Sequence, residues 1–422
     1  MSRRHHLWRS VGFAVATIAV LVVVWLAWPA GSPRAVASLP ASPELIERGR
    51  YLTAAADCVA CHTLPGGAPY AGGRAFKLPF GTIHAPNITP DRATGIGDWN
   101  DAEFVRALHE GVGRRGEELY PALPYTSYAQ MTTADALAIK AYLFSLPPIR
   151  NEVVANRLAF PFDQRRLIRF WKVLFVRKGE FVPEPERDTD WNRGAYLATA
   201  LGHCGECHTP RNLLYGTSGP ALSGETTQGW TAWNITSDAV HGIGAWSLDE
   251  LVDYLRVGYA AERGVASGPM KEAVDYSLSH LSAADLRSLA VYLKGTKAAA
   301  RGPAAETAAV ATADSSATTA AGRRLFEGAC QSCHALDGQG SQAPGATLRN
   351  RRSVTDPHGV NLVQSVLHGG VALGQYGAEH MPAFAHAYTD AEIAATANFV
   401  VRHFGGVNAR IAEADVAKLR AD

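Results

Sequence analysis

The chain has 422 residues, of which 47% are apolar and 19% are charged. This length and composition suit a few small globular domains with hydrophobic cores. The 40 basic residues balance 39 acidic residues, for a formal net charge of +1, so the sequence indicates no nucleic-acid or polyphosphate partner.

The first predicted element is a helix that spans a membrane. Residues 11–28 are uncharged and mostly apolar, and at about 1.5 Å per residue they reach about 27 Å, enough to cross a bilayer core. Arg3, Arg4 and Arg9 precede this run, so the positive-inside rule places everything after it outside the cytoplasm. A cleaved signal peptide is the alternative, because residues 35–37 (Ala-Val-Ala) resemble a processing site. We assign residues 1–41 to this anchor, or signal, and a linker.

The next feature is a Cys-x-x-Cys-His motif that occurs three times and uses all six cysteines. This spacing is typical of c-type haem attachment, in which two thiols add to the vinyl groups of one porphyrin and the following imidazole binds the iron. Disulfides would not explain the histidines, and zinc would need further ligands. The sequence therefore predicts three covalently bound haem c groups. The attachment residues are Cys58, Cys61, Cys204, Cys207, Cys330 and Cys333, and the iron ligands are His62, His208 and His334.

Each motif belongs to a longer repeat. A helix is predicted before each motif, with a glycine that would let another helix cross closely. A helix N-cap and an aromatic residue ten positions later close each repeat, and the constant spacing predicts that this aromatic residue packs against the first helix. The glycines are Gly49, Gly194 and Gly322, the caps are Thr132, Ser282 and Thr389, and the aromatic residues are Tyr142, Tyr292 and Phe399.

The repeats predict an all-α fold of three tandem cytochrome c-like domains after the transmembrane helix. The domains occupy residues 42–150, 190–297 and 320–407, and residues 408–422 form a tail. Trp99 and Trp246 occupy matching positions in the first two repeats and are candidates for the haem pockets.

Two connecting segments differ in character. Residues 151–189 are basic and strongly apolar between Arg165 and Phe181. They either form a buried bridge between the first two domains, the interpretation that we favour, or lie at the membrane surface. Residues 298–319 are rich in alanine and threonine and predict a flexible linker that would let the third domain move.

Methionine is the usual sixth ligand in electron-transferring cytochromes c. Besides Met1 there are three methionines, Met131, Met270 and Met381, one after each motif. Met131 directly precedes its cap, whereas Met381 stands eight residues before its own, and the position in repeat 1 that matches Met381 best is Leu123. Either Met131 reaches the iron, as we favour, or haem 1 has another ligand or an open site. The remaining histidines are expected on the surface or in the core; they include His84, His109, His203, His241, His280, His368 and His380.

Taken together, the sequence resembles the triple-haem cytochrome c subunits of membrane-bound bacterial alcohol, aldehyde and gluconate dehydrogenases. The resemblance covers nearly the whole chain after the anchor. Besides the three motifs, it rests on the segments APNITPD, GIGDWNDAEF, YPALPYTSY, GHCGECHTPRN and GPMKEAVDYSLSHLS. Many members of this family carry methionine where Leu123 stands.

The resemblance implies an electron-transfer subunit that is not an enzyme on its own. It would accept electrons from the catalytic subunit of a periplasmic dehydrogenase, which acts on an aldehyde, alcohol or sugar acid with a small subunit beside it. It would pass them to membrane quinone or a terminal oxidase, from the periplasmic side of the inner membrane. No dinucleotide fingerprint or catalytic triad appears in the sequence. The alternatives are a haem enzyme, such as a peroxidase with an open site at haem 1, and a general shuttle to an oxidase.

Overall fold

The computed structural model describes residues 28–40, 42–261, 263–302, 317–341, 344–374 and 377–421, with scattered positions between residues 8 and 25. The predicted membrane span therefore lies largely outside the described residues, as does most of the Ala/Thr-rich linker. Within the described part of the chain, no helix is long and apolar enough to cross a membrane. The described positions between residues 8 and 25 are helical and exposed.

Repeat 1, residues 42–150, is a group of short helices with one hairpin. Its helices are α1 (Pro43–Ala55), α2 (Cys58–His62), α3 (Asp101–Glu110), α4 (Tyr125–Tyr128) and α5 (Thr133–Ser145). Strands β1 (Ala75–Leu78) and β2 (Gly81–His84) form an antiparallel hairpin, and β3 (Arg157–Leu158) pairs with the other edge of β2.

The segment that connects repeats 1 and 2 carries helix α6 (Ile168–Phe175). Arg169 and Lys172 of this helix both pair with Glu118 of repeat 1, as the bridge interpretation predicts. Val173 and Leu174, however, are 72% and 64% exposed, which is what the membrane-surface interpretation predicts. The segment is therefore held by ion pairs and buries Ile168, while part of its apolar surface is exposed.

Repeat 2, residues 190–297, repeats this plan. Helix α7 (Thr189–Tyr196) continues through a π-helical turn, Leu197–Leu201, and the other helices are α8 (Gly205–His208), α9 (Leu248–Val257), α10 (Gly268–Tyr276) and α11 (Ala283–Lys294). Two antiparallel hairpins accompany them, one of β4 (Glu225–Thr227) and β5 (Trp230–Ala232) and one of β6 (Tyr259–Ala260) and β7 (Gly264–Val265).

Repeat 3, residues 320–407, again begins and ends with long helices. Its helices are α12 (Ala317–Ala329), α13 (Gln331–His334), α14 (Arg352–Thr355), α15 (Val360–His368) and α16 (Asp390–Gly405), and α17 (Glu413–Ala421) lies in the tail. Strands β8 (Gly370–Gly374) and β9 (Gly377–Met381) form a hairpin before α16.

The fold is largely helical, as predicted, but the description as all-α is incomplete. The described residues form four small antiparallel sheets. Their strands have only two to five residues, which is too short for an alternating hydrophobic pattern to be recognised in the sequence.

The predicted helix crossings are present in all three repeats. A Cβ atom added to the glycine of the first helix would overlap a backbone carbonyl of the last helix, and the Cβ of the predicted aromatic residue lies beside it. Thr132, Ser282 and Thr389 each cap the last helix by accepting a hydrogen bond from the third residue after the cap. The crossing pairs are Gly49 with Ala138, Gly194 with Ser288, and Gly322 with Ala395.

Repeats 1 and 2 share one hydrophobic core, which includes Leu52 and Leu143 from repeat 1 and Leu197 and Leu286 from repeat 2. Repeat 3 has a core of its own around Phe326. A smaller cluster around Leu222 and Leu251 also lies in repeat 2. Hydrogen bonds from polar side chains, among them Asn361 and Gln364, join repeats 2 and 3.

Candidate functional site

The three motif histidines share one environment, because the Nδ1 atom of each lies within hydrogen-bond distance of a backbone carbonyl. A carbonyl oxygen only accepts hydrogen bonds, so Nδ1 carries the ring proton and Nε2 keeps a free lone pair. A hydrogen bond of this kind fixes the tautomer and the ring orientation of an imidazole that binds a metal. The pairs are His62 with Pro86 at 2.7 Å, His208 with Trp233 at 2.6 Å, and His334 with Ala346 at 2.6 Å.

The protonation state of these histidines also suits an iron ligand. Burial lowers the pKa of His62, His208 and His334, and the hydrogen bond to the carbonyl only partly opposes this effect. The imidazoles are therefore neutral around pH 7, and neutral imidazole is the form that binds metals.

The six cysteines stand beside these histidines and none is in a disulfide. Cys58 and Cys61 both lie on α2, one helical turn apart. Burial raises the pKa of each of these two thiols to about 12. Thiols with such a high pKa are weak nucleophiles, which argues against redox catalysis by the first pair. Covalent attachment to a porphyrin needs no such thiolate in the mature protein.

A single cavity of about 2500 Å³ runs through repeats 1 and 2 and is lined by both of their motifs. Sites for one small molecule have volumes of about 300–1,000 Å³, so this cavity has room for two large groups. Both candidate tryptophans, Trp99 and Trp246, line it, together with apolar residues such as Ile96 and Leu255. The volume and the largely apolar lining of this cavity therefore fit two porphyrins.

The predicted sixth ligands of repeats 1 and 2 line the same cavity. Met131 is fully buried, and helix α4 and the turn after it place it there although it directly precedes the cap Thr132. Met270, on α10, lines the part contributed by repeat 2. Leu123 also lines the cavity. Met381 ends strand β9 and is partly buried, and neither it nor His334 is among the residues that line this cavity.

Two ionisable residues of the cavity occupy equivalent positions before the first cysteine of their motifs. Asp57 and His203 both have left-handed backbone conformations, with φ of 52° and 39°, and both line the cavity. Burial, with a contribution from Glu272, raises the pKa of Asp57 to about 8, while burial lowers the pKa of His203. His203, which was expected on the surface or in the core, therefore belongs to the cavity lining, and His84 does so as well.

Arg74 is a residue of the site that the sequence did not reveal. Its Nη1 donates a 2.6 Å hydrogen bond to the Ala60 carbonyl, within the first motif, and its Nη2 pairs with Glu272 at 2.7 Å. Glu272 lies on α10, two residues after Met270. Arg74 therefore connects the first motif to the helix that carries a predicted ligand of the second. An isolated arginine in a loop has no spacing that would predict this contact.

Comparison with known protein families gives two matches within the chain. Residues 46–147 match the model of the cytochrome c family. Residues 317–400 match the model described as cytochrome C oxidase, cbb3-type, subunit III. One match covers the motif of repeat 1 and the other covers the motif of repeat 3.

The chain is also similar to several characterised proteins. The gluconate 2-dehydrogenase cytochrome c subunit of Pantoea cypripedii is 37% identical over 411 residues, which cover 92% of each chain. The cytochrome c subunit of the quinone alcohol dehydrogenase of Gluconobacter oxydans is 33% identical over 403 residues, or 90% of this chain and 83% of that one. A nicotinate dehydrogenase subunit of Pseudomonas putida is 40% identical over 86% of this chain, but the chain spans only 30% of the length of that protein.

Proposed function

Because this chain belongs to the family of the cytochrome c subunits of gluconate 2-dehydrogenase and quinone alcohol dehydrogenase, we propose that it carries three haem c groups and transfers electrons for a partner dehydrogenase. The observation that carries the proposal is the common geometry of His62, His208 and His334, each with Nδ1 on a carbonyl and Nε2 free. In this proposal each cysteine pair holds one porphyrin covalently, and the following histidine binds its iron.

The roles of the other site residues follow from what a bound haem supplies, which is one-electron oxidation and reduction. Met131, Met270 and Met381 would complete the coordination of the three irons, because a thioether raises the reduction potential and closes the site to small ligands. The buried position of Met131 beside the first motif supports it over an open site at haem 1.

The shared cavity supports electron transfer between the first two haems. Both motifs line one continuous space, and Arg74 and Glu272 hold its two halves together. Groups bound in one apolar cavity are near neighbours, and the protein's part is to keep them in place and to exclude water. Repeat 3 would hold the third haem outside this cavity, because neither His334 nor Met381 lines it.

The proposed partner is the catalytic subunit of a periplasmic dehydrogenase for an alcohol, aldehyde or sugar acid, with a small subunit in the complex. The names of the relatives support a dehydrogenase partner, and their different substrates explain why the cytochrome subunit does not identify one. Membrane quinone or a terminal oxidase is the proposed acceptor. The chain itself performs no oxidation of substrate in this proposal.

We further propose that the protein is held at the outer side of the inner membrane. The apolar run at residues 11–28 supports a membrane span. Helix α6 presents exposed apolar side chains next to the end of this run, where the rings of Phe170 and Trp25 lie 5.0 Å apart. Arg169 of the same helix donates to the carbonyls of Trp25 and Trp28. An amphipathic helix at this point suits the lipid interface.

Two measurements test the proposed function. Denatured, acid-extracted protein should retain three haems per chain, and replacing both cysteines of one motif by alanine should remove one of them. A chain whose mass equals that of the bare polypeptide would refute covalent attachment. The native complex, purified from membranes, should contain a dehydrogenase subunit, and substrate should reduce the haems only when that subunit is present. Peroxide turnover by the isolated chain would instead support the haem enzyme.

A further inference from the structure

Arg352 belongs to repeat 3, but its side chain enters repeat 2. Its Nη1 donates a 3.0 Å hydrogen bond to the Asn234 carbonyl, and its Nη2 donates to the carbonyl of Gly242. Both carbonyls lie in the loop that follows strand β5. The guanidinium is buried and lines the same cavity as His208 and Tyr254. A cation supplied by one repeat thus lies at the proposed haem site of another.

Among the described residues, no carboxylate forms an ion pair with Arg352, and Asp238 acts on its charge only from a longer distance. Its described hydrogen bonds go to two backbone carbonyls, although a guanidinium has five N–H donors. Burial lowers the pKa of Arg352 to about 10, which still leaves it cationic around pH 7. Buried charges in proteins are normally paired, because an unpaired one costs several kcal/mol. We therefore expect an anion bound in the cavity to pair with the Arg352 guanidinium.

Repeat 3 is held against repeat 2 in a way that fixes this position. Asn361 of α15 accepts a hydrogen bond of 2.8 Å from the Thr231 amide and donates one of 2.9 Å to its carbonyl. Gln364 of the same helix donates to the Gly229 carbonyl at 3.0 Å. These contacts join α15 to the hairpin of β4 and β5. The mobility that the Ala/Thr-rich linker predicts is therefore restrained in this arrangement.

We propose that Arg352 binds a propionate of the haem attached to Cys204 and Cys207, so that repeat 3 supplies the counter-cation for the haem of repeat 2. This inference rests on the proposed function, because it needs a haem at the second motif. The propionates are the carboxylates that a haem carries, and the planar fork of a guanidinium matches a carboxylate. A fixed positive charge near iron favours the ferrous over the ferric state, so Arg352 raises the reduction potential of this haem.

The test is a redox titration of the haem-loaded full chain in which Arg352 is replaced by glutamine. One of the three midpoint potentials should fall, with about a tenfold lower ratio of ferrous to ferric haem at a given potential, or about 59 mV for a one-electron couple. The other two should stay unchanged. Arg349→Gln is the matched control, because Arg349 lies in the same repeat, is exposed and donates to the Asp337 carbonyl. It should leave all three potentials unchanged.

Unchanged potentials in Arg352→Gln with all haems present would overturn the inference and leave Arg352 as a structural link between repeats. A shift of all three potentials together would overturn it as well. A structure of the haem-loaded wild-type protein provides a test that does not depend on folding of the variant. It should place a guanidinium nitrogen of Arg352 within about 3.2 Å of a propionate oxygen, and a propionate bound elsewhere would refute the assignment. The haem content of the wild-type chain tests the proposed function separately.

Discussion

The hydroxyl of Tyr51 in repeat 1 donates a 2.6 Å hydrogen bond to the carboxylate of Asp285 in repeat 2. The equivalent residues make the same contact with the roles of the repeats exchanged. The Tyr196 hydroxyl of repeat 2 donates a 2.5 Å hydrogen bond to Asp135 of repeat 1. Each repeat therefore presents the same pair of residues to the other. The interface is reciprocal, like the isologous interface of a twofold-symmetric dimer, but it lies within one chain.

We expect Tyr51→Phe to weaken the contact between repeats 1 and 2. The change removes the hydrogen bond to Asp285, which keeps its ion pair with Arg193, and the hydrogen bond that the hydroxyl accepts from the Ser282 amide. The free energy of unfolding should therefore fall by about 2 kcal/mol. Chemical denaturation of the haem-loaded protein measures this loss. Tyr276→Phe is the control, because Tyr276 is exposed in the same repeat as Asp285. If both variants changed the free energy of unfolding equally, the contact between Tyr51 and Asp285 would contribute nothing to stability.

Replacing either of two glycines of helix α12 by alanine should change the free energy of unfolding, but in opposite directions. A Cβ at Gly322 would overlap the Ala395 carbonyl, whereas a Cβ at Gly328 would meet no atom within 4 Å. Gly322→Ala should therefore lower the unfolding free energy by about 3 kcal/mol through overpacking, while Gly328→Ala should raise it by up to about 1 kcal/mol through helix propensity. Thermal unfolding of both variants provides the comparison. Tolerance of alanine at residue 322 would mean that the helices do not cross there.

Met131→Leu should open the iron site of repeat 1. Leucine is close to methionine in volume, so the fold should lose less than about 1.5 kcal/mol, but it offers no sulfur to the iron. One of three haems should become five-coordinate and high-spin, and its ferrous form should bind carbon monoxide. Electron paramagnetic resonance and carbon monoxide difference spectra detect this change.

The control for Met131→Leu is Leu123→Met, which places a sulfur at a second position that lines the cavity. If Met131 is the iron ligand, as proposed, this second change should leave the spectra as in the wild type. If Met131→Leu retained three low-spin haems, another residue would have to be the ligand of haem 1.

Asp57→Asn should stabilise the protein increasingly as the pH rises. Burial raises the pKa of Asp57 from an ordinary value near 3.8 to about 8. Between these values the unfolded chain carries an ionised Asp57 and the folded chain a protonated one. Folding then takes up a proton, and the wild type loses stability with rising pH. Asparagine cannot ionise and tolerates the left-handed conformation of this residue.

The difference in unfolding free energy between the asparagine variant and the wild type should grow between about pH 4 and pH 8 and stay constant above that range. Urea unfolding at about pH 5, 7 and 9 measures the trend. A difference that did not depend on pH would show that Asp57 is ionised in the folded protein throughout.

The features that the sequence predicted correctly are those that depend on short-range spacing. Tyr142 was assigned to a helix crossing because its spacing from the cap is the same in every repeat, and Gly49 because a glycine stands in the helix before each motif. The structure confirms the contact between them. The capping residues were recognised for the same reason. In each case the information lies within a few helical turns, where residue spacing determines which side chains share a face.

The contacts that the sequence did not predict join segments far apart in the chain. Arg74 reaches Glu272 across 198 residues, and Arg352 reaches Asn234 across 118 residues. An arginine carries no spacing signal that identifies such a partner, and a backbone carbonyl has no sequence signature at all. The carbonyl partners of the three histidines were missed for this second reason, although the histidines themselves were identified.

The three hydrogen bonds between histidine and carbonyl enclose loops of different length. His334 and Ala346 are 12 residues apart, whereas His62 and Pro86 are 24 apart and His208 and Trp233 are 25 apart. Halving a loop lowers the entropic cost of closing it by about 0.6 kcal/mol. The last of the three motif histidines to be synthesised, His334, therefore has the smallest loop-closure cost when its ring is oriented.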